Sequence, residues 1–141
     1  MAYNSKIKVG ISHGDINGIG YEVIIKTLLE PRILEMCTPI IYGSPKVAAY
    51  HRKALNIEYI SFNHIRGAQE ASANKANIIN CIDENIRVEL GKSTPSAGES
   101  SLMALEKAVN DLQKGLIDVL ITAPINKKNI QSDRFSFPGH T

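Results

Sequence analysis

"KIKVGISHGDINGIGYEVIIKTLL", residues 6–29, decides the fold class. Ile7, Val9 and Ile11 alternate with Lys6, Lys8 and Gly10, the period-two pattern of a strand. After Gly20, the residues Val23, Ile24, Ile25, Leu28 and Leu29 cluster as on a buried helix that ends near Pro31. Strand, glycine loop and helix in succession open an α/β unit. The loop itself fits neither common phosphate cradle. A dinucleotide fingerprint requires G-x-G-x-x-G, whereas the glycines here are Gly14, Gly18 and Gly20. A P-loop requires Lys and then Ser or Thr after its last glycine, and Tyr21-Glu22 stands there instead.

The same alternation continues outward from this stretch. "TPIIYG" (38–43) predicts a short apolar strand, and Ser44-Pro45 an N-cap and first helical residue. "IEYISF" (57–62) reads as a strand, residues 64–77 as loop or broken helix, and "NIINCI" (77–82) as a further strand. Ser96-Ala97-Gly98-Glu99 has the form of a capping box. Leu102, Leu105, Val109, Leu112 and Leu116 then step as one buried helical stripe, stopped by Gly115 after Lys114. "DVLITAPI" (118–125) is a continuous apolar run, as expected of a strand covered on both faces. Strands alternating with helices predict an α/β layer on a largely parallel sheet.

Composition narrows the function classes. The 141 residues are 43% hydrophobic and 21% charged, enough for one globular core. A net charge of +2, scattered Lys and Arg and 6% aromatic residues do not suggest a nucleic-acid surface. No apolar run reaches the length of a membrane span, and Lys8 breaks the first one, so a soluble cytoplasmic protein is expected. Cys37 and Cys81 have no metal-ligand spacing and read as two buried free thiols of a reducing compartment.

In open α/β sheets, ligands bind beyond the carboxyl ends of strands. Two loops occupy that position: His13 to Gly20, and the one that begins at "TAPINKK" and reaches "FPGHT" at the end of the sequence. Each residue also has a plainer reading. Such a glycine loop is often only a tight turn, Asp15 can cap the next helix, and Lys127 and Lys128 are ordinarily solvated. An isolated His13 is ordinarily a surface or hydrogen-bonded side chain. His51 and His64 have no partner spacing, and a terminal His140-Thr141 ordinarily frays.

Taken together, "GISHGDINGIGYEVI", "IDVLITAPINKKNI" and "FSFPGHT", in this order and at these separations, resemble the 4-hydroxythreonine-4-phosphate dehydrogenases of vitamin B6 biosynthesis. That family has a G-D-P-x-G-I-G-P-E loop, a T-A-P-I-N-K segment and F-x-G-H-T-E. Ile16 and Tyr21 stand where the family has prolines, which should loosen the first turn while keeping Asp15 and the glycines. The sequence covers only the first part of the family's length and stops one residue before the expected Glu. It therefore looks like the amino-terminal α/β portion, residues 1–141, of a longer two-domain enzyme.

The resemblance implies an isocitrate and isopropylmalate dehydrogenase-like layered fold, incomplete in this chain. It implies NAD- or NADP-dependent oxidation of the C3 hydroxyl of 4-phosphooxy-L-threonine, a small phosphorylated hydroxy amino acid. Loss of carbon dioxide then gives 3-amino-2-oxopropyl phosphate. A divalent metal (zinc, magnesium or cobalt) is implied too. Its three histidine ligands lie later in the family's chain, one across a homodimer interface, and none of the four histidines here maps onto them. His140 and Thr141 match the family's substrate-contacting pair. Asp15, Gly18, Gly20, Asn126 and Lys127 are the remaining cleft candidates. The alternatives are a sister dehydrogenase of phosphorylated threonate-type acids, a phosphotransacylase-like enzyme, and a non-catalytic anion-binding module.

Overall fold

The computed structural model describes residues 6–130. The chain forms β1 (Ile7–Ser12), α1 (Gly20–Leu28), α2 (Pro31–Met36), β2 (Cys37–Gly43), α3 (Pro45–Ala54), β3 (Asn63–Ile65) and β4 (Asn77–Asn80). It continues with α4 (Pro95–Gln113), β5 (Val119–Thr122) and the single-turn α5 (Lys127–Ile130). All four strand pairings are parallel, in the order β3-β4-β2-β1-β5. The architecture is thus α/β on a parallel five-stranded sheet. No helix among the described residues is long and apolar enough to cross a membrane.

Alternation along the strands divides the core. In-register neighbours share a face, so Ile11, Ile41 and Ile78 lie on one side. There Ile41 and Ile78 pack with Tyr21, Ile24, Ile25 and Leu28 of α1 and with Val47 and Ala48 of α3. On the other side, Ile40, Tyr42 and Ile79 pack with Ala104 and Ala108 of α4 and with Ile117. Pro39 is tolerated within β2 because β4 first pairs at Ile40, beyond the proline. A side chain supplies the missing partner there: Asn77 Nδ2 donates to the Pro39 carbonyl at 3.1 Å.

Several elements differ from their sequence reading. Pro31 does not simply close the first helix. It is the first residue of α2, capped by the Glu30 carboxylate, which accepts from the Arg32 amide. Residues 57–62 form no strand, and the pairing segment is displaced to Asn63–Ile65, where Asn63 N donates to Ala76 O. Ser44 caps α3 as expected, its hydroxyl accepting from Val47 N at 3.2 Å. The cap of α4, however, is Thr94 with Pro95 at the first position, and Thr94 Oγ1 accepts from Ala97 N at 3.1 Å.

The larger correction concerns which face of α4 is buried. Leu102 is buried as the stripe expects, but Ala97, Ser101, Ala104, Ala108 and Asp111 form the rest of the buried face, Leu105 and Leu116 are half-buried, and Val109 and Leu112 are exposed. Close helix–sheet packing selects the small residues; larger side chains would hold the helix off the strands. β5, read as covered on both faces, is an edge strand among the described residues, with Val119 and Ile121 exposed. Cys37 and Cys81 are free and partly buried.

Candidate functional site

The loops leaving β1 and β5 lie side by side, which brings the two sequence-predicted segments together. Asp15 N donates to Pro124 O at 2.9 Å, and Ala123 N to Ser12 O at 3.0 Å. From here the chain diverges. The first loop enters α1 on one face of the sheet, and the second enters α5, which packs against α4 on the other. Such a divergence at the carboxyl ends of adjacent parallel strands is where open α/β sheets form a ligand crevice.

The glycines of the first loop serve packing. Gly14 has φ +70°, and a side chain there would collide with the Pro124 and Ala123 carbonyls. Gly20 begins α1 against the His13 carbonyl, leaving no room for a Cβ. Gly18 closes a turn by donating to Asp15 O at 3.1 Å. Ile16 and Tyr21, at the family's proline positions, are core residues here. Both are fully buried, so apolar packing holds this loop where the family has proline rings.

Asp15 is half-buried, and its Oδ1 accepts from Asn17 N at 3.1 Å. It does not cap α1, whose N-cap is Ile19 without a side-chain acceptor. Asn126 caps α5, its Oδ1 accepting from the Lys128 and Asn129 amides at 2.9 and 3.2 Å. That role is structural. Lys127 lies beside it at the start of α5. His140 and Thr141 lie outside the described residues.

Three residues that spacing did not single out organise the site. Asn17, 2% exposed, joins the first loop to the segment before α4. Its Oδ1 accepts from Glu89 N at 2.7 Å, its Nδ2 donates to Lys92 O at 3.0 Å, and its carbonyl accepts from Gly91 N. Tyr21 and Ser100 enclose His13, which is fully buried rather than at the surface. Burial pushes the His13 imidazole down to about 4, against a weaker opposing effect of the Ser100 carbonyl. Burial likewise lowers His51, whose Nε2 donates to Ile16 O at 2.7 Å. Only an asparagine within a glycine loop and a histidine before it hinted at this arrangement. Spacing alone cannot show that their partners lie more than 70 residues away.

A cavity of about 410 Å³ opens beside the first turn of α4, lined by Arg87, Glu89, Ser96, Glu99, Ser100 and Met103 among others. It adjoins the loop through two ties, Asn17 to Glu89 N and His13 to Ser100 O. A larger cavity, about 500 Å³, is lined by Leu28, Pro31, Phe62 and Asn63 and lies at the amino ends of the strands. Among the described residues no three His, Cys, Asp or Glu side chains are grouped to hold a metal ion. His13 and His51 are already engaged within the fold, so the described residues do not fit the metal that the resemblance implies.

The chain is 57% identical over 137 residues to the 4-hydroxythreonine-4-phosphate dehydrogenase of Bacteroides thetaiotaomicron, covering 97% of this chain and 37% of that protein. It is 31% identical over 142 residues to a Clostridium botulinum protein provisionally named D-threonate 4-phosphate dehydrogenase, covering 98% and 42%. The crystal structure of a 4-hydroxythreonine-4-phosphate dehydrogenase from Burkholderia phymatum superposes with a TM-score of 0.85 at 28% identity, over 97% of this chain and 42% of that one. The chain therefore spans about two fifths of the length of these relatives. Residues 35–141 match the family model for the pyridoxal phosphate biosynthetic protein PdxA, and the chain belongs to that family.

Proposed function

We propose that residues 1–141 form the amino-terminal α/β portion of a two-domain 4-hydroxythreonine-4-phosphate dehydrogenase and one wall of its active-site cleft. The observation that carries this reading is the 57% identity to the Bacteroides enzyme across nearly the whole chain. The convergence of the β1 and β5 loops, which contain the resembling motifs, supports the placement of the cleft. In the reaction, the C3 hydroxyl of 4-phosphooxy-L-threonine loses a proton and C3 transfers a hydride to NAD⁺ or NADP⁺. The resulting β-keto acid releases carbon dioxide and leaves 3-amino-2-oxopropyl phosphate.

In this reading the chain's own residues bind and orient the substrate. Asp15, Gly18 and Gly20 line one side, Asn126 holds the α5 turn that presents Lys127, and His140 and Thr141 hydrogen-bond the phosphorylated substrate. A divalent metal, held by ligands in a part of the enzyme outside this chain, would supply stabilisation of negative charge on the substrate oxygen. A cytoplasmic homodimer completes the proposal.

The test is an assay of the full-length protein containing these residues, with 4-phosphooxy-L-threonine or D-threonate 4-phosphate, both nucleotides and added divalent metals. Higher kcat/KM on 4-phosphooxy-L-threonine, with release of carbon dioxide, is expected. A preference for the threonate would transfer the chain to the sister activity, and no oxidation of either substrate would overturn the reading.

A further inference from the structure

His13 and Tyr21 stand at the two ends of the loop that contains Asp15, and their side chains meet across its neck. His13 Nδ1 lies 2.7 Å from Tyr21 Oη, and His13 Nε2 lies 3.1 Å from the Ser100 carbonyl. A carbonyl can only accept, so Nε2 bears the proton and Nδ1 accepts from the phenol. The Tyr21 oxygen in turn accepts from Ser44 N at 2.9 Å. A polar chain therefore runs from the start of α3 through Tyr21 and His13 into α4. Tyr21 is also stacked on His51 with ring centroids 5.3 Å apart, and His51 supports the loop from below through Ile16 O. Gly43 is part of the same fit, since a side chain there would collide with Tyr21 Oη and His13 Nδ1.

We propose that His13 and Tyr21 are positioning residues, a clasp that closes the neck of the 14–20 loop and holds the Asp15 carboxylate in the cleft. The proposal rests on the reading that this loop lines the active site. Within the loop, the buried polar side chain of Asn17 is tied to the 89–94 segment. Asp15 Oδ1 takes one amide, and its second oxygen, beside Gly18, is left without a hydrogen bond among the described residues. Neither clasp residue needs to touch substrate for this role.

Two measurements on this chain test the proposal without any substrate, so they can fail independently of the proposed activity. The first is the tautomer of His13, read from long-range ¹⁵N–¹H correlations of the imidazoles. A bare Nδ1 and a protonated Nε2 are expected, and the opposite tautomer would overturn the clasp even if every variant failed to fold. The second is amide exchange in Tyr21→Phe, which retains the stacked ring and removes only the hydroxyl. Protection of the Asp15, Asn17 and Gly18 amides should fall by about tenfold or more, the scale of one buried hydrogen bond. Amides of Ile41 and Ala104 should retain theirs. A uniform loss across all five, or no loss in the loop, would show that Tyr21 only fills the core.

Discussion

At the scale of single residues, buried polar side chains decide more than their number suggests. Asn77 is fully buried and saturates its carboxamide. Nδ2 donates to Pro39 O, Ser72 O and Lys75 O at 3.1, 3.0 and 2.9 Å, while Oδ1 accepts from Asn63 Nδ2 and Ser72 N. Asn77→Ala would orphan several of these groups at once, and about 3 kcal/mol or more should be lost in urea denaturation. Removal of the exposed Lys26–Glu22 pair should change stability by less than about 0.5 kcal/mol in the same measurement.

His13 gives the chain an acid limit. Its folded-state pKa, about 4, lies below the value near 6.5 of an unfolded histidine. The unfolded state therefore binds more protons between those values, and stability falls as the solution is acidified. The contribution is fully present above about pH 6.5 and is lost progressively down to about pH 4, on the order of 3 kcal/mol in all. Urea midpoints measured at intervals from about pH 7 to about pH 4 check this. His13→Gln, if folded, should reduce the slope of the profile over that range, leaving the contribution of the buried His51, which is lowered in the same direction.

At the scale of elements, sequence patterning located helices and strands better than it oriented them. Strand β1, the Ser44-Pro45 start of α3 and strand β4 were legible because period and capping chemistry are local. The buried face of α4 was legible only in part. Leu102, Leu105, Val109 and Leu112 form an apolar stripe by spacing; Leu102 is buried and Leu105 half-buried as that stripe expects, but Val109 and Leu112 are exposed, and Ala97, Ala104 and Ala108 complete the buried face. Ala108→Leu should therefore cost about 1–3 kcal/mol through overpacking, whereas Val109→Glu should stay within about 0.5 kcal/mol. A buried leucine and valine stripe would reverse that order in thermal melts. The site was legible to the same extent: both cleft loops were identified from sequence, but the Asn17, Tyr21 and Ser100 ties that shape them depend on distant partners. Tyr42 and Asp111 make the same point, meeting at 2.7 Å across 69 residues. Burial and that carboxylate both push the Tyr42 phenol up.

For the whole molecule, the decisive feature is the side of β5 that no described strand covers. Val119 and Ile121 are 42% and 55% exposed on an edge strand without a charged residue, and Val109 and Leu112 are exposed on α4. Edges of this kind recruit further strands. The 141-residue chain should self-associate at micromolar concentration in sedimentation velocity, and Ile121→Lys should shift it toward monomer. The same chain should show no reduction of NAD⁺ or NADP⁺ by 4-phosphooxy-L-threonine with added metal, because no metal-ligand cluster exists among its described residues. A full-length homologue assayed beside it provides the positive control. Turnover by the 141-residue chain would place a complete active site within it.

The strand order also sets a timetable for synthesis. β1 leaves the ribosome first but ends between β2 and β5, with Val9 paired to Val119 more than a hundred residues later. Parallel pairing over such a separation is slow to form, and nascent chains gain structure in units as they emerge. The β1-β2-β4 layer with α1 and α3 can assemble early, yet one edge of β1 must wait, uncovered, until β5 arrives. Nascent chains arrested before Val119 should consequently be digested quickly by protease and captured by chaperones. Arrest after Asn126 is out of the exit tunnel should extend protection to β1 and β5. The position of a strand in the sheet thereby becomes a delay in translation, during which β1 is the segment most in need of shelter.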